Sequence, residues 1–357
     1  MQSTTKKMRA GLRRKKAFTL VEVMLVVVIA AILGAAAVSA LSLTFGMYEQ
    51  LNDYIGGRQE IEFVAQTIGL EISNAGLGMS NNRQERGLFA DSFSAADMSN
   101  PPIMAQMGAI NERWGGPVTL SDTTSDYSAI PTIKAGFPDG SGRFGGVELY
   151  YAWARPTGIK AVVEGAEDES YIRQEKNIKK NGEVFDLEIL TGAQGLNTLV
   201  SRGIIADNSA SNAKNPLSWV LFPATRLPML IQNVGANTLR VALAPHSSED
   251  RQASLMGMDE IFLLQVSRIF LDGQRVMKVD FAYDNAGNLT PNVTPLAGNI
   301  AGLYFIYDPN LRMLSMYIAS RGESIVQTPS VEWPDEAPDL PANRRIVVNR
   351  VDWRIRN

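Results

Sequence analysis

Residues 13–48 read RRKKAFTLVEVMLVVVIAAILGAAAVSALSLTFGMY, and no side chain between Val23 and Tyr48, a run of 26 residues, is charged. At about 1.5 Å rise per residue an α-helix of that length covers roughly 39 Å, more than the ~30 Å hydrocarbon core of a bilayer. The spacing therefore predicts a transmembrane segment over about 23–48. Seven basic side chains precede it (Lys6, Lys7, Arg9, Arg13, Arg14, Lys15 and Lys16), with no acidic one among residues 1–17. Positive charge is retained on the cytoplasmic side, so the leader is expected to stay inside and the body to be exported.

A cleaved secretory signal competes with this, because small residues from Ala35 to Ala40 follow the apolar run as a signal-peptidase site would. Against it, apolar character continues through Leu41, Leu43 and Phe45. A carboxylate, Glu22, also sits at the start of the apolar segment. A charge within a span costs about 2.5 kcal/mol or more at the centre, so it normally has a partner or a task. Taken alone, Glu22 reads equally well as a group tolerated at headgroup level.

Lys15-Lys16-Ala17-Phe18-Thr19-Leu20-Val21-Glu22 before an apolar helix resembles the signal of type IV prepilins and type II secretion pseudopilins. The resemblance implies cleavage by a prepilin peptidase between Ala17 and Phe18, with N-methylation of Phe18. It also implies an assembly role for Glu22, as the carboxylate that meets the amine of a neighbouring subunit. One departure is Ala17, where that family usually has glycine; alanine is the nearest residue in size.

Beyond Tyr48 the helix signal acquires a polar face. Ile61, Val64, Ala65, Ile68, Ile72 and Ala75 recur at helical spacing, which predicts an amphipathic half-helix laid on a domain. Gly56-Gly57 is expected to bend or loosen it, and Gly76 and Gly78 to end it. The stretch from Phe63-Val64-Ala65 to Asn74-Ala75-Gly76 resembles the post-membrane helix of the PilW group of minor pilins. The resemblance covers residues 13–79.

Composition bounds the rest. The chain has 357 residues, no cysteine and one histidine, His246. Disulfides, thiolate metal sites and paired-histidine mechanisms are thereby excluded. Residues 18–357 carry 27 basic and 37 acidic groups, which disfavours a nucleic-acid partner for the body. Residues 80–145 are rich in Ser, Asn, Asp, Gly and Pro and are expected to be loops, with at most one short helix. Strands are expected at 147–153, 217–222, 229–232, 238–243, 303–307, 314–319 and 345–355. A hairpin over 261–271 and 275–283 is expected to turn at Asp272-Gly273. The expected fold is α+β: a long N-terminal helix packed on a mainly antiparallel β body, as in pilins. Its parts are a leader (1–17), the helix (18–79) and a β-rich periplasmic domain (80–357) large enough for two lobes.

Other motifs dissolve on inspection. Gly140-Ser-Gly142-Arg-Phe-Gly145 lacks the strand before it and helix after it that a dinucleotide site needs. Asp284 and Asn288 fit two positions of a calcium loop, but Ala286 and Pro295 occupy ligand positions. No cofactor, metal site or catalytic residue is expected. The expected role is a non-enzymatic minor pilin anchored in the inner membrane, whose partners are the peptidase and other pilins. The alternatives are a pseudopilin similar to the type II secretion J component and a membrane-anchored binding protein that never assembles.

Overall fold

A computed structural model describes residues 19–78, 118–122, 143–163, 173–178, 184–191, 194–195, 197–198, 219–222, 227–235, 237–243, 251–256, 259–283, 289–322, 332–341 and 346–355. The chain divides into two compact units, residues 1–52 and 53–357. Helix α1, Leu20–Ser73, contributes to both. Within residues 20–52 its apolar side chains are exposed almost throughout, and it is long and apolar enough to cross a membrane.

In the second unit the helical stripe meets a core. Ile61, Val64, Ile68, Ile72 and Ala75 are each at most 1% exposed, and Ala65 packs beside them. Burying each Val or Ile is worth about 1.5–3 kcal/mol before entropy is counted. α1 stays helical through Gly56-Gly57 instead of loosening there. The reason lies across the interface: a Cβ on Gly57 would stand 2.5 Å from Ser320 Oγ, so glycine lets helix and strand approach. Gly56 meets nothing within 4 Å. Gly76 and Gly78 take positive φ (73° and 77°) just past the helix end, as expected.

The β body comprises β1 (Val118–Ser121), β2 (Phe144–Gly146), β3 (Glu148–Val163), β4 (Arg173–Ile178), β5 (Val184–Thr191), β6 (Trp219–Phe222), β7 (Leu227–Val234), β8 (Thr238–Leu243), β9 (Arg251–Met256), β10 (Asp259–Asp272), β11 (Arg275–Tyr283), β12 (Leu289–Ala297), β13 (Ile300–Asp308), β14 (Met313–Arg321) and β15 (Ile346–Arg354). Every strand pairing among the described residues is antiparallel. The nine-stranded sheet runs β1-β3-β5-β8-β7-β6-β10-β11-β12, and an added β3–β10 pairing closes six of its strands into a ring. A four-stranded sheet runs β15-β14-β13-β2, and β4 and β9 pair alone.

The long strands β3 and β10 serve two sections. At one end they join β5 and β6 in the ring, and at the other β1 and β11 flank them. The main core lies where α1 meets both larger sheets. Leu149, Tyr151 and Trp153 alternate onto it from β3, Phe305 and Tyr307 come from β13, and Leu314, Met316 and Ile318 from β14.

Several local expectations change. The loop-like composition of 80–145 conceals β1 and the start of β2, so Gly145 is a strand residue paired with Ile306. Gly140, Gly142, His246, Asp284 and Asn288 lie outside the described residues. In the β10–β11 hairpin Asp272 is the last strand residue, opposite Arg275, and the turn is Gly273-Gln274. Glycine takes φ 59° at the first turn position, where a side chain would be strained.

Candidate assembly site at the start of the helix

Ala17 and Phe18 lie outside the described residues, and Glu22 stands in the first turn of α1. Thr19 is the N-cap: its carbonyl accepts the first helical bond, from the Val23 N–H at 3.1 Å. Its Oγ1 accepts from the Glu22 N–H at 3.3 Å. Glu22 Oε2 reaches back to accept from the Thr19 N–H (2.9 Å) and the Thr19 hydroxyl (3.0 Å). This reciprocal arrangement is a capping box, and it satisfies donors that a helix start leaves unpaired. The carboxylate also lies at the positive end of the helix dipole.

Thr19 is the residue that sequence reasoning missed. Its signal was present as Thr19-x-x-Glu22, the spacing that defines the box. The geometry gives the two carboxylate oxygens different duties. Oε2 serves the chain's own helix start, whereas Oε1 has no hydrogen bond among the described residues. A cation can therefore be met at Oε1 without undoing the cap.

A polar network at the other end of α1 fixes the helix on the sheet. Glu71 Oε1 accepts from Lys278 Nζ at 2.5 Å, and Glu71 Oε2 from the Tyr151 hydroxyl at 2.6 Å. Lys278 also lies 3.2 Å from Asp280, which accepts from Ser267 (2.6 Å). Ser267 in turn accepts from the Trp153 indole (3.0 Å). Burial pushes the Glu71 carboxyl up from its ordinary value, against the pull of Lys278 and Tyr151. Burial and the neighbouring Glu71 push the Tyr151 hydroxyl well up, so it remains a donor. A second buried pair, Arg268 to Glu148 at 2.5 Å, is completed by the Tyr150 hydroxyl on Glu148 (2.8 Å) and by Phe270 under the guanidinium (4.1 Å). No group of three or more His, Cys, Asp or Glu that could hold a metal ion occurs among the described residues.

A capped apolar helix, long enough to cross a membrane, that continues into an antiparallel β body is consistent with a pilin-like fold. Residues 12–38 match the family model described as the prokaryotic N-terminal methylation motif. The match supports a type IV pilin-like or pseudopilin-like protein, and it implies processing by a prepilin peptidase and assembly with other pilins. It also fits anchorage in the inner membrane. Comparison with curated proteins and with solved structures finds no match.

Proposed function

We propose that the chain is a minor type IV pilin of the PilW kind, a structural subunit that enters or primes a pilus and catalyses no reaction. The observation that carries this is the joining of a methylation motif to an apolar helix whose side chains are exposed from Leu20 onward. Such a surface is stable only in lipid or against other helices. Residues 1–17 act as the cytoplasmic leader, residues 18–79 as the pilin helix and residues 80–357 as the periplasmic body. The body's bulk favours a minor position, because it would crowd a repeating shaft.

Cleavage between Ala17 and Phe18 leaves a charged amine on Phe18. In a filament Glu22 leaves the headgroup level for an apolar core, where an unpaired carboxylate costs several kcal/mol. The amine of the adjacent subunit offsets that cost, and Oε1 is the oxygen left to accept it. The test is the intact mass of the chain recovered from host membranes. A product that begins at methylated Phe18 is expected. A product that begins near Ser42 means ordinary signal-peptidase cleavage and overturns the proposal.

A further inference from the structure

A sheet edge presents unpaired N–H and C=O groups and so templates another strand unless it is blunted. The two larger sheets end at β1, β12, β2 and β15. β1 and β2 are only four and three residues long. β12 has nine residues, but Pro291 and Pro295 have no N–H to give. β15 also has nine residues and contains no proline. Its first part, Ile346–Val348, is buried, whereas Asn349–Arg354 alternate between half-buried and exposed. That open stretch is about 20 Å long at ~3.3 Å per residue.

The same stretch leads into an open cleft of about 620 Å³, whose walls include Ser73, Leu311, Arg312, Trp353 and Arg354. Trp353 lies against α1 at Gly69, where a Cβ would stand 3.0 Å from its indole nitrogen. Leu311 is 57% exposed. Asp352 also faces the cleft, but it is held by Arg350 at 2.9 Å and by the Ser315 hydroxyl at 2.6 Å. Arg312 and Arg354 are exposed and have no ion-pair partner among the described residues. The end of α1 at Ser73 brings roughly half a negative charge, less than two guanidinium groups. The cleft is therefore basic with an apolar wall.

We propose that the outer edge of Asn349–Arg354 accepts an extended acidic segment of a neighbouring pilin-type subunit. The segment adds as a strand beside β15 and places a carboxylate between Arg312 and Arg354. Backbone bonds along an edge give affinity, and the side-chain cleft gives selectivity. A second copy of β15 fits badly, because antiparallel pairing centred on Asp352 sets Arg350 opposite Arg354. Like charges so placed repel, whereas an acidic strand is attracted by the same arginines. The inference rests on the filament reading above.

The test installs a photo-crosslinking residue at Arg350 in the full-length chain, expressed in host cells. Parallel chains carry it at Asn292 on β12 and at Ile29 in the apolar helix. Position 350 is expected to link to an acidic, extended segment of another pilin-type subunit, identified by mass spectrometry of the joined peptides. Position 292 is expected to stay unlinked. Reversing both arginines (Arg312→Glu with Arg354→Glu) should lower the yield at 350 about tenfold or more and leave the yield at 29 unchanged. The neutral pair, Arg312→Gln with Arg354→Gln, should fall between. The inference is overturned if Ile29 links to neighbours and Arg350 does not, if 350 links only to this chain's own copies, or if charge reversal leaves its yield unchanged. Absence of links at both 29 and 350 removes the filament reading as well.

Discussion

The two parts of α1 are both rich in aliphatic residues, yet they have different surroundings. From Leu20 to Leu51 the apolar side chains point in every direction and are exposed. From Asp53 to Ser73 they are gathered mainly on one stripe, and that stripe is buried on the β body. Continuous apolarity suits a medium that surrounds the helix, and periodic apolarity suits a single packed face. The comparison separates stability from assembly: changes in the upper part should alter where the chain goes and what it joins. Changes in the lower part should alter whether the body holds together.

The largest expected effect concerns Glu22. Replacing it by alanine should leave membrane abundance and cleavage nearly unchanged and abolish entry into filaments, since an unpaired amine buried there costs about 3–5 kcal/mol. Glu22→Asp should be intermediate, one methylene shorter in reach. Immunoblots of membrane and sheared-filament fractions, beside pilus function, read the outcome. Wild-type assembly by Glu22→Ala would reduce the carboxylate to a helix cap.

Next comes Ile68→Ala, which empties a fully buried site and should cost about 2–5 kcal/mol. Ile29→Ala, in the exposed part, should change the stability of the body by less than about 0.5 kcal/mol. Denaturant unfolding of the detergent-solubilised chain distinguishes them. Equal losses would mean that the upper part also packs on protein within the subunit.

Adjacent glycines offer a finer test. Gly57→Ala forces a methyl onto Ser320 and should destabilise by about 1–3 kcal/mol. Gly56→Ala meets open space and should stabilise by up to about 1 kcal/mol through helix propensity. Thermal midpoints of opposite sign are expected, and a shared sign would show that the close approach at Ser320 is not tight.

The smallest effect concerns pH. Because burial raises the Glu71 carboxyl, the folded chain holds that proton more readily than the unfolded chain does. The group's contribution is therefore fully present below the unfolded carboxylate range, and it is lost as pH rises through the raised folded value. On acidification through that window, wild type should gain stability relative to Glu71→Gln. Paired urea titrations at several pH values check the sign, and a gain by the variant would mean that Lys278 outweighs burial.

The sequence alone revealed the long apolar helix, the stripe from Ile61 to Ala75 and most of the central strands, because each depends on a local pattern. It also located β15, through the alternation of Val351 and Trp353 with Arg350, Asp352 and Arg354. Thr19-x-x-Glu22 was legible too, as the spacing of a capping box. β12 was hidden by its prolines, which are tolerable only because it is an edge. β1 is too short for a clear local period, whereas β5 did carry one, Phe185, Leu187 and Ile189 alternating with Asp186 and Glu188, although the expected strands do not include it. β3 outran its predicted length because both of its flanks find partners.

The pairing of β3 with β10, the closure of the ring, the joining of Glu71 to Lys278 across 207 positions and the contact of Gly57 with Ser320 came only from the tertiary structure. Hydrophobic period and capping chemistry are properties of neighbouring residues, so a linear reading contains them. Which strand lies beside which, and which backbone must come close, depends on packing between residues far apart in the chain, and no local pattern encodes that.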